Sequence, residues 1–283
     1  LILTALRYGE LLSIRATGIM FNRLPFWVCT LVVAMLTIEA KAADFAPIGT
    51  LRATFIGRNP VHAKIDPASG SISGLAAEFT RAAAARLNVP FTLTGLPSAS
   101  AVIASVQSGE ADIGFVAYNF VRAVDVDFSQ TSALVQNAYL VRTNSPFRTS
   151  EELDQPGRVI GVGTRDAADF FLTRTLDQAG LKRNDGSDSD AAVRMLLAGE
   201  IDAYGANRQR LTPLAARIPG VRLLEDNFYT VEQAIAVAKG RAGHLEFVDR
   251  LIDEARMSGL IGSTISSAGL IGVEVAPRME RLR

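Results

Sequence analysis

Cysteine, histidine and aromatic residues are scarce in this chain, and each shortage closes off a class of chemistry. One cysteine, Cys29, and two histidines, His62 and His244, stand among 283 residues. A lone cysteine makes neither an internal disulfide nor a thiolate metal cage. Two histidines are a poor basis for a histidine metal site or a Ser-His triad. An excess of one charge sign is also missing, with 29 Lys and Arg against 29 Asp and Glu. Without a basic bias, nucleic acid is not an expected partner. Aromatics make up only 7% of a composition otherwise ordinary for an α/β protein.

Long apolar runs are confined to one place, near the N-terminus. Phe21, Asn22 and Arg23 form a short, singly positive stretch, and an apolar run follows from Leu24 to Ile38. Roughly fifteen residues suit the apolar region of a secretory signal better than a membrane-spanning helix. Ala40-Lys41-Ala42 places small residues where signal peptidase reads them, so cleavage is expected near Ala42; an uncleaved anchor is the alternative. The first nineteen residues carry no recognisable signal, which fits an upstream mis-start with Met20 as initiator. Cleavage removes Arg7, Arg15, Arg23 and Lys41 from the 29 basic residues, and Glu10 and Glu39 from the 29 acidic ones. That leaves 25 against 27, a net of about −2, and it removes Cys29. Trp27-Val28-Cys29-Thr30 lacks the small residues of a lipoprotein box. A mature chain free of cysteine suits an oxidising compartment, and the periplasm is the expected location.

From Leu51 onward, short β-like runs alternate with helical ones. Leu51–Ile56, Pro90–Leu93 and Asp112–Val116 read as strands, with helices over Leu75–Leu87 and Ser98–Gln107. Asp66 to Gly70 is a turn by its Pro and Gly chemistry. The order β-α-β-α-β implies a parallel sheet covered by helices. A second series begins with a strand at Val159–Val162. It continues with a helix over Asp166–Ala179, a helix from Ser189 or Asp190 to Leu197, a strand over Ile201–Ala206 and a helix over Gln209–Arg217. His244 to Met257 is amphipathic. The two series share an echo: Val106-Gln107-Ser108-Gly109-Glu110-Ala111-Asp112-Ile113-Gly114 returns as Leu196-Leu197-Ala198-Gly199-Glu200-Ile201-Asp202-Ala203-Tyr204. Each is a helix ended by glycine and followed at once by a strand. Two lobes of similar topology are therefore expected. Ligands of parallel sheets sit beyond the carboxyl ends of strands, so the loops after Val116 and Gly205 are where a site belongs.

Several pieces then match one family. Gly49-Thr50-Leu51-Arg52, Gly74, Gln107 to Asp112, Arg122 with Val126-Asp127-Phe128-Ser129, Ala198 to Ala203, and Ala236 to Gly240 stand in its order and spacing. Over roughly Gly49 to Pro277 the chain resembles the family 3 extracellular solute-binding proteins, the polar amino-acid-binding subunits of ABC importers. The resemblance implies a two-lobed α/β type II periplasmic-binding fold, a Venus flytrap. Lobe 1 would join 43–134 with 234–276, lobe 2 would span 138–228, and 277–283 would be a tail. Crossing segments near Leu134–Asn137 and Tyr229–Gln233 would form the hinge. It also implies a small anionic or zwitterionic solute, an inner-membrane permease as partner, a monomer, and no metal or organic cofactor.

The resemblance places a carboxylate-gripping arginine at Arg122, whose parallel donors suit that group; the plainer reading pairs Arg122 with Asp125 or Asp127 at the surface. Other positions depart from the pattern. A hydroxyl residue is replaced by Ala117, leaving only a backbone donor. Gly-Thr-Thr at the second lobe's helix start is Arg165-Asp166-Ala167, and the ammonium-binding aspartate is Asn207. Asp166 has two readings, an ammonium partner completing a clamp with Arg122 or an N-cap. On the second, Arg165 and Arg208 beside Arg122 favour a plain anion. Asn59 precedes Pro60, and the aromatic expected next is Val61; Tyr118 and Phe120 are the substitutes, Phe120 being equally a core candidate. Asn119 is placed for an amide contact, Tyr204 for packing, and His62 near the cleft but solvated. Two other functions stay open: an exported dehydratase acting on prephenate-like or arogenate-like acids, with Glu232 or Asp166 as the acid–base group, and a ligand-sensing module for a membrane receptor.

Overall fold

The computed structural model describes residues 44–185 and 188–278. The signal segment, its cleavage site and the last five residues lie outside the described residues. In chain order the strands are β1 (Leu51–Ile56), β2 (Lys64–Ile65), β3 (Ile72–Ser73), β4 (Phe91–Leu96), β5 (Ile113–Ala117), β6 (Val126–Phe128) and β7 (Ala133–Arg142). They continue as β8 (Val159–Gly163), β9 (Gly180–Asn184), β10 (Ala203–Asn207), β11 (Val221–Leu223), β12 (Tyr229–Ala238) and β13 (Val273–Val275). The helices are α1 (Leu75–Leu87), α2 (Ala99–Gln107), α3 (Ala167–Thr175), α4 (Ser189–Leu197), α5 (Arg208–Arg217), α6 (Ala242–Met257) and α7 (Leu260–Ser267).

The strand order is β4-β1-β5-β12-β7-β10-β8-β9. β1 pairs in parallel with β4 and β5, and β8 pairs in parallel with β9 and β10. Each parallel trio therefore has its first strand in the centre, and the two trios are joined by the long antiparallel pair β7 and β12. Register runs Ala133 opposite Gln233 to Asn137 opposite Tyr229, so the expected crossing segments pair with each other. Beyond that stretch the two strands part, β7 joining β10 and β12 joining β5. The molecule is two-lobed, with β7 and β12 as its only sheet connection among the described residues.

Both faces of the inner strands of each half-sheet are buried, which is why β1, β5 and β8 read as nearly continuous apolar runs, whereas the edge strands β4 and β9 are largely exposed. In β5, Ile113 and Phe115 face one core with Phe79 and Leu251, while Val116 faces another with Val102 and Val106. In β7, Leu140 packs with Val193 and Leu211, and Val141 packs on the opposite face with Val162 and Leu172.

The repeated segment is repeated in structure. Gly109 and Gly199 follow α2 and α4 with φ of 77° and 78°, a left-handed turn that a side chain resists. The aspartates after them do the same task in each half. Asp112 accepts from the Arg52 backbone N–H at 2.7 Å, and Asp202 from that of Val159 at 2.9 Å. Each clips the start of the central strand to its neighbour.

One expected helix is shorter than its pattern. α3 stops at Thr175, and Gly180–Asn184 pairs as β9 instead of following a helix that reaches Ala179. The cause is Asp154, whose carboxylate accepts the backbone N–H groups of Asp177, Gln178 and Ala179. Those donors are lost to a helix. Among the described residues, no helix is long and apolar enough to cross a membrane.

Candidate functional site

The carboxyl ends of β1, β5, β8 and β10 face one cleft, floored by β7 and β12. Asn59, Ala117, Arg122 and Gln233 line it from one side, Asp166, Asn207 and Arg210 from the other, and Asn137 from the crossing strand. The space left between the walls is small, about 40 Å³ on a scale where one water needs about 10–15 Å³, and it stays partly open to solvent. The lobes are drawn together, and polar bonds cross between them.

Arg122 sits on a 3-10 turn after β5 and is 5% exposed. Its Nη1 donates to the Ala117 carbonyl at 2.8 Å and its Nη2 to the Arg165 carbonyl across the cleft at 2.7 Å. The guanidinium lies over the Phe170 ring. Burial pulls its pKa down to about 10, with Asp166 opposing that and Arg165 adding to it. Near neutral pH it is therefore a charged group with little water. The surface reading fails: Asp127 pairs with Lys239, and Asp125 lies near Gln107.

Asp166 is at the N-cap position of α3, but its side chain makes no capping bond. Its carboxylate instead meets Arg210 at 2.9 Å. The cap expectation is thus corrected, and Asp169 supplies the local bond by accepting the Arg165 backbone N–H at 2.8 Å. Burial lowers the Arg210 pKa, but Asp166 and Tyr204 more than reverse this and leave it above its ordinary value. Asn207 is the N-cap of α5, accepting from the Arg210 backbone N–H, and its Nδ2 donates to Asn59 Oδ1 at 3.1 Å across the cleft.

Three expected contacts lie off the cleft wall. Asn119 Oδ1 accepts from the Val121 N–H in its own turn, Tyr118 packs edge-on against Phe128, and Arg165 offers its carbonyl rather than its charge. Arg208, expected beside Arg122, is spent on the carbonyls of Leu224, Glu225 and Asp226 and on Gln136. Arg210, three residues past the Asn207 cap, takes its place; the run Arg208-Gln209-Arg210 did not say which arginine turns inward. Val61 is a core residue and Tyr204 is fully buried. Phe120 is not core: it is 52% exposed and lies under the Arg174 guanidinium of the other lobe.

His62 overturns the solvated reading, being 4% exposed. Its Nδ1 accepts from the Ile56 N–H, so Nε2–H donates to Gln233 Oε1 at 2.9 Å. Burial lowers its pKa to about 4, against the Gln233 bond and with help from Arg122 and Arg210. Asn137, which sequence reasoning missed, is buried on β7 with Nδ2 unpartnered within the protein.

The family description "Bacterial extracellular solute-binding proteins, family 3" matches residues 57–266. The chain belongs to that family. Several solved structures share its fold. A mutant of ArgBP from T. maritima has a TM-score of 0.68 at 21% identity, over 81% of this chain and 99% of that one. The AbpA substrate-binding protein of an amino acid ABC transporter from Streptococcus pneumoniae, bound to L-arginine, gives 0.67 at 22%, over 80% and 96%. The ancestral amino acid-binding protein AncCDT-1, a precursor of cyclohexadienyl dehydratase, gives 0.66 at 18%, over 80% and 97%. At these identities the likeness establishes a shared type II periplasmic-binding fold. A search of curated protein sequences finds no match.

Proposed function

We propose that this family 3 protein is the periplasmic solute-binding component of an ABC importer, and that Arg122 holds the carboxylate of a small solute between its lobes. The observation that carries this reading is the Arg122 guanidinium, buried at the carboxyl end of β5 with one hand on its own lobe and one on the other. A ligand carboxylate would take over the place of the Arg165 carbonyl, exchanging a neutral acceptor for a charged one. Only a solute that touches both lobes at once favours closure, so one held by Arg122 must also reach the wall of the second lobe. In this reading lobe 1 comprises 43–134 with 234–276, lobe 2 comprises 138–228, and the paired stretches of β7 and β12 form the hinge. The closed form docks on an inner-membrane permease.

A dehydratase is the less supported reading. It needs a positioned acid or base. Glu232 accepts from the Thr131 hydroxyl at 2.6 Å. It alternates with Val231 and Gln233, which line the cleft, so its own side chain belongs to the opposite face. Asp166 is already paired with Arg210.

The test is calorimetric titration of the purified protein with a panel of small carboxylates, beside Arg122→Ala. The proposal expects one site per chain and a loss of about a hundredfold or more in the variant. Equal affinities in both proteins reject it.

A further inference from the structure

A neutral side chain on the cleft wall is held in one direction by a buried neighbour. Gln233 lies on β12 opposite Ala117 of β5, whose carbonyl holds Arg122 at 2.8 Å. Gln233 and Arg122 both line the cleft. Which end of the Gln233 amide is turned to the cleft is decided by His62, in the loop after β1. This histidine is 4% exposed, and with its pKa lowered to about 4 by burial it is neutral near pH 7. A neutral imidazole carries a single ring proton. Its Nδ1 accepts from the Ile56 backbone N–H at 3.4 Å, so the proton is on Nε2 and is donated to Gln233 Oε1 at 2.9 Å.

The amide oxygen is thereby turned inward, and Nε2 is left over. The Gln233 side chain makes no other hydrogen bond among the described residues. Its Nε2 is nonetheless not among the atoms sealed from solvent without a partner. The side chain shares its face of β12 with Val231, another lining residue, and the rest of Gln233 is packed. The accessible end of the amide therefore opens on the cleft. A carboxylate has about four acceptor sites, and a guanidinium with one arm on Ala117 fills only part of them. Building on the carboxylate grip at Arg122, we infer that Gln233 is a further ligand-binding residue and His62 its positioning residue: Gln233 Nε2 donates to a solute oxygen beside the Arg122 guanidinium. Without His62 the amide is free to present either end, and an oxygen set against a carboxylate repels it.

The probe is the tightest binder among lactate, malate, 2-hydroxyglutarate, alanine, aspartate and glutamate. Its dissociation constant is measured on wild type, Gln233→Leu, Gln233→Glu, His62→Leu and the double variant His62→Leu with Gln233→Leu. Arg122→Ala is the reference, and thermal melts confirm folding. Gln233→Leu is expected to bind about tenfold more weakly. Gln233→Glu still accepts from His62 but turns a second oxygen to the cleft, so it loses more than Gln233→Leu. His62→Leu weakens binding in the wild-type background and has no further effect in the Gln233→Leu background, a pattern that a general loss of packing does not give. In NMR spectra the Gln233 side-chain amide pair, assigned by its absence from Gln233→Leu, shifts on adding the probe. Wild-type affinity in Gln233→Leu overturns the inference, as do independent losses that multiply in the double variant, while the Arg122 dependence stays intact. Should His62→Leu not fold, the two Gln233 variants decide. Absence of any carboxylate binding by wild type overturns both the inference and the function on which it rests.

Discussion

Asp166 and Arg210 form an ion pair at 2.9 Å on the cleft wall contributed by the second lobe. The pair joins the loop after β8 to the first turn of α5, and it occupies the one carboxylate that lines the cleft among the described residues. An isolated carboxylate there would be a seat for an ammonium group. A paired one is a structural strut.

From this pairing follows the first prediction. Asp166→Asn leaves Arg210 buried without its counter-charge, and such removal is strongly destabilising. Asp166 is partly exposed, so the cost is reduced by solvent screening to about 1–3 kcal/mol. Carboxylate affinity should hold or rise, since the wall gains positive charge. Urea unfolding and calorimetry on the same preparation separate the two effects. A variant as stable as wild type that has lost its carboxylate affinity would contradict the strut.

Arg122 should tolerate no substitute, lysine included. Lysine keeps the charge but lacks the planar fork that reaches Ala117 and Arg165 together. Affinity in Arg122→Lys is expected to fall by about tenfold or more. Titration of both proteins at one salt concentration checks this.

His62 predicts a pH dependence of stability. The unfolded chain protonates this histidine near 6.5, whereas the folded protein holds it neutral down to about 4. Protons therefore favour the unfolded state between those values. The stability contribution is complete above pH ~6.5 and is lost as pH falls through ~4, by about 3 kcal/mol in all. Denaturant titrations at pH 7.5 and 4.5 should show nearly that much more loss in wild type than in His62→Gln. Parallel behaviour of the two proteins would assign the acid sensitivity elsewhere.

The repeated aspartates predict losses in both halves. Asp112 accepts from the Arg52 backbone and pairs with its guanidinium, and Asp202 accepts from the Val159 backbone with Arg158 and Arg142 nearby. Asp112→Ala should cost about 2–3 kcal/mol, because it leaves a strand N–H and the Arg52 guanidinium unmatched, and Asp202→Ala about 1–2 kcal/mol, because it leaves chiefly the strand N–H unmatched while Arg142 keeps the Leu196 and Ile201 carbonyls. Chemical denaturation measures both. The smaller loss belongs to Asp202, whose partners are more open to solvent.

Much of the fold was legible because both lobes repeat a simple pattern: α1 and α2 start and stop where their apolar spacing and glycines say, and Gly109 and Gly199 mark the same corner. The crossing strands were less so. β7 and β12 are ten residues each, longer than the hinge stretches inferred from resemblance, because each also serves as a sheet strand in the lobe it enters. α3 failed locally, since Asp154 captures three N–H groups from twenty-odd residues away. At the site, Arg122, Asn59 and Ala117 line the cleft from one side and Asp166 and Asn207 from the other. Arg210 and Asn137 were missed for a common reason. Whether an arginine on a helix start or an asparagine on a strand turns toward a cleft depends on which lobe lies opposite, and that is a tertiary fact.

The most direct measurement is a crystal structure grown with the tightest-binding carboxylate from the titrations. A solute carboxylate within hydrogen-bond reach of the Arg122 guanidinium, between β5 and the start of α3, is the expected result. Solute density at any other surface, with Arg122 still donating to the Arg165 carbonyl, would contradict the account.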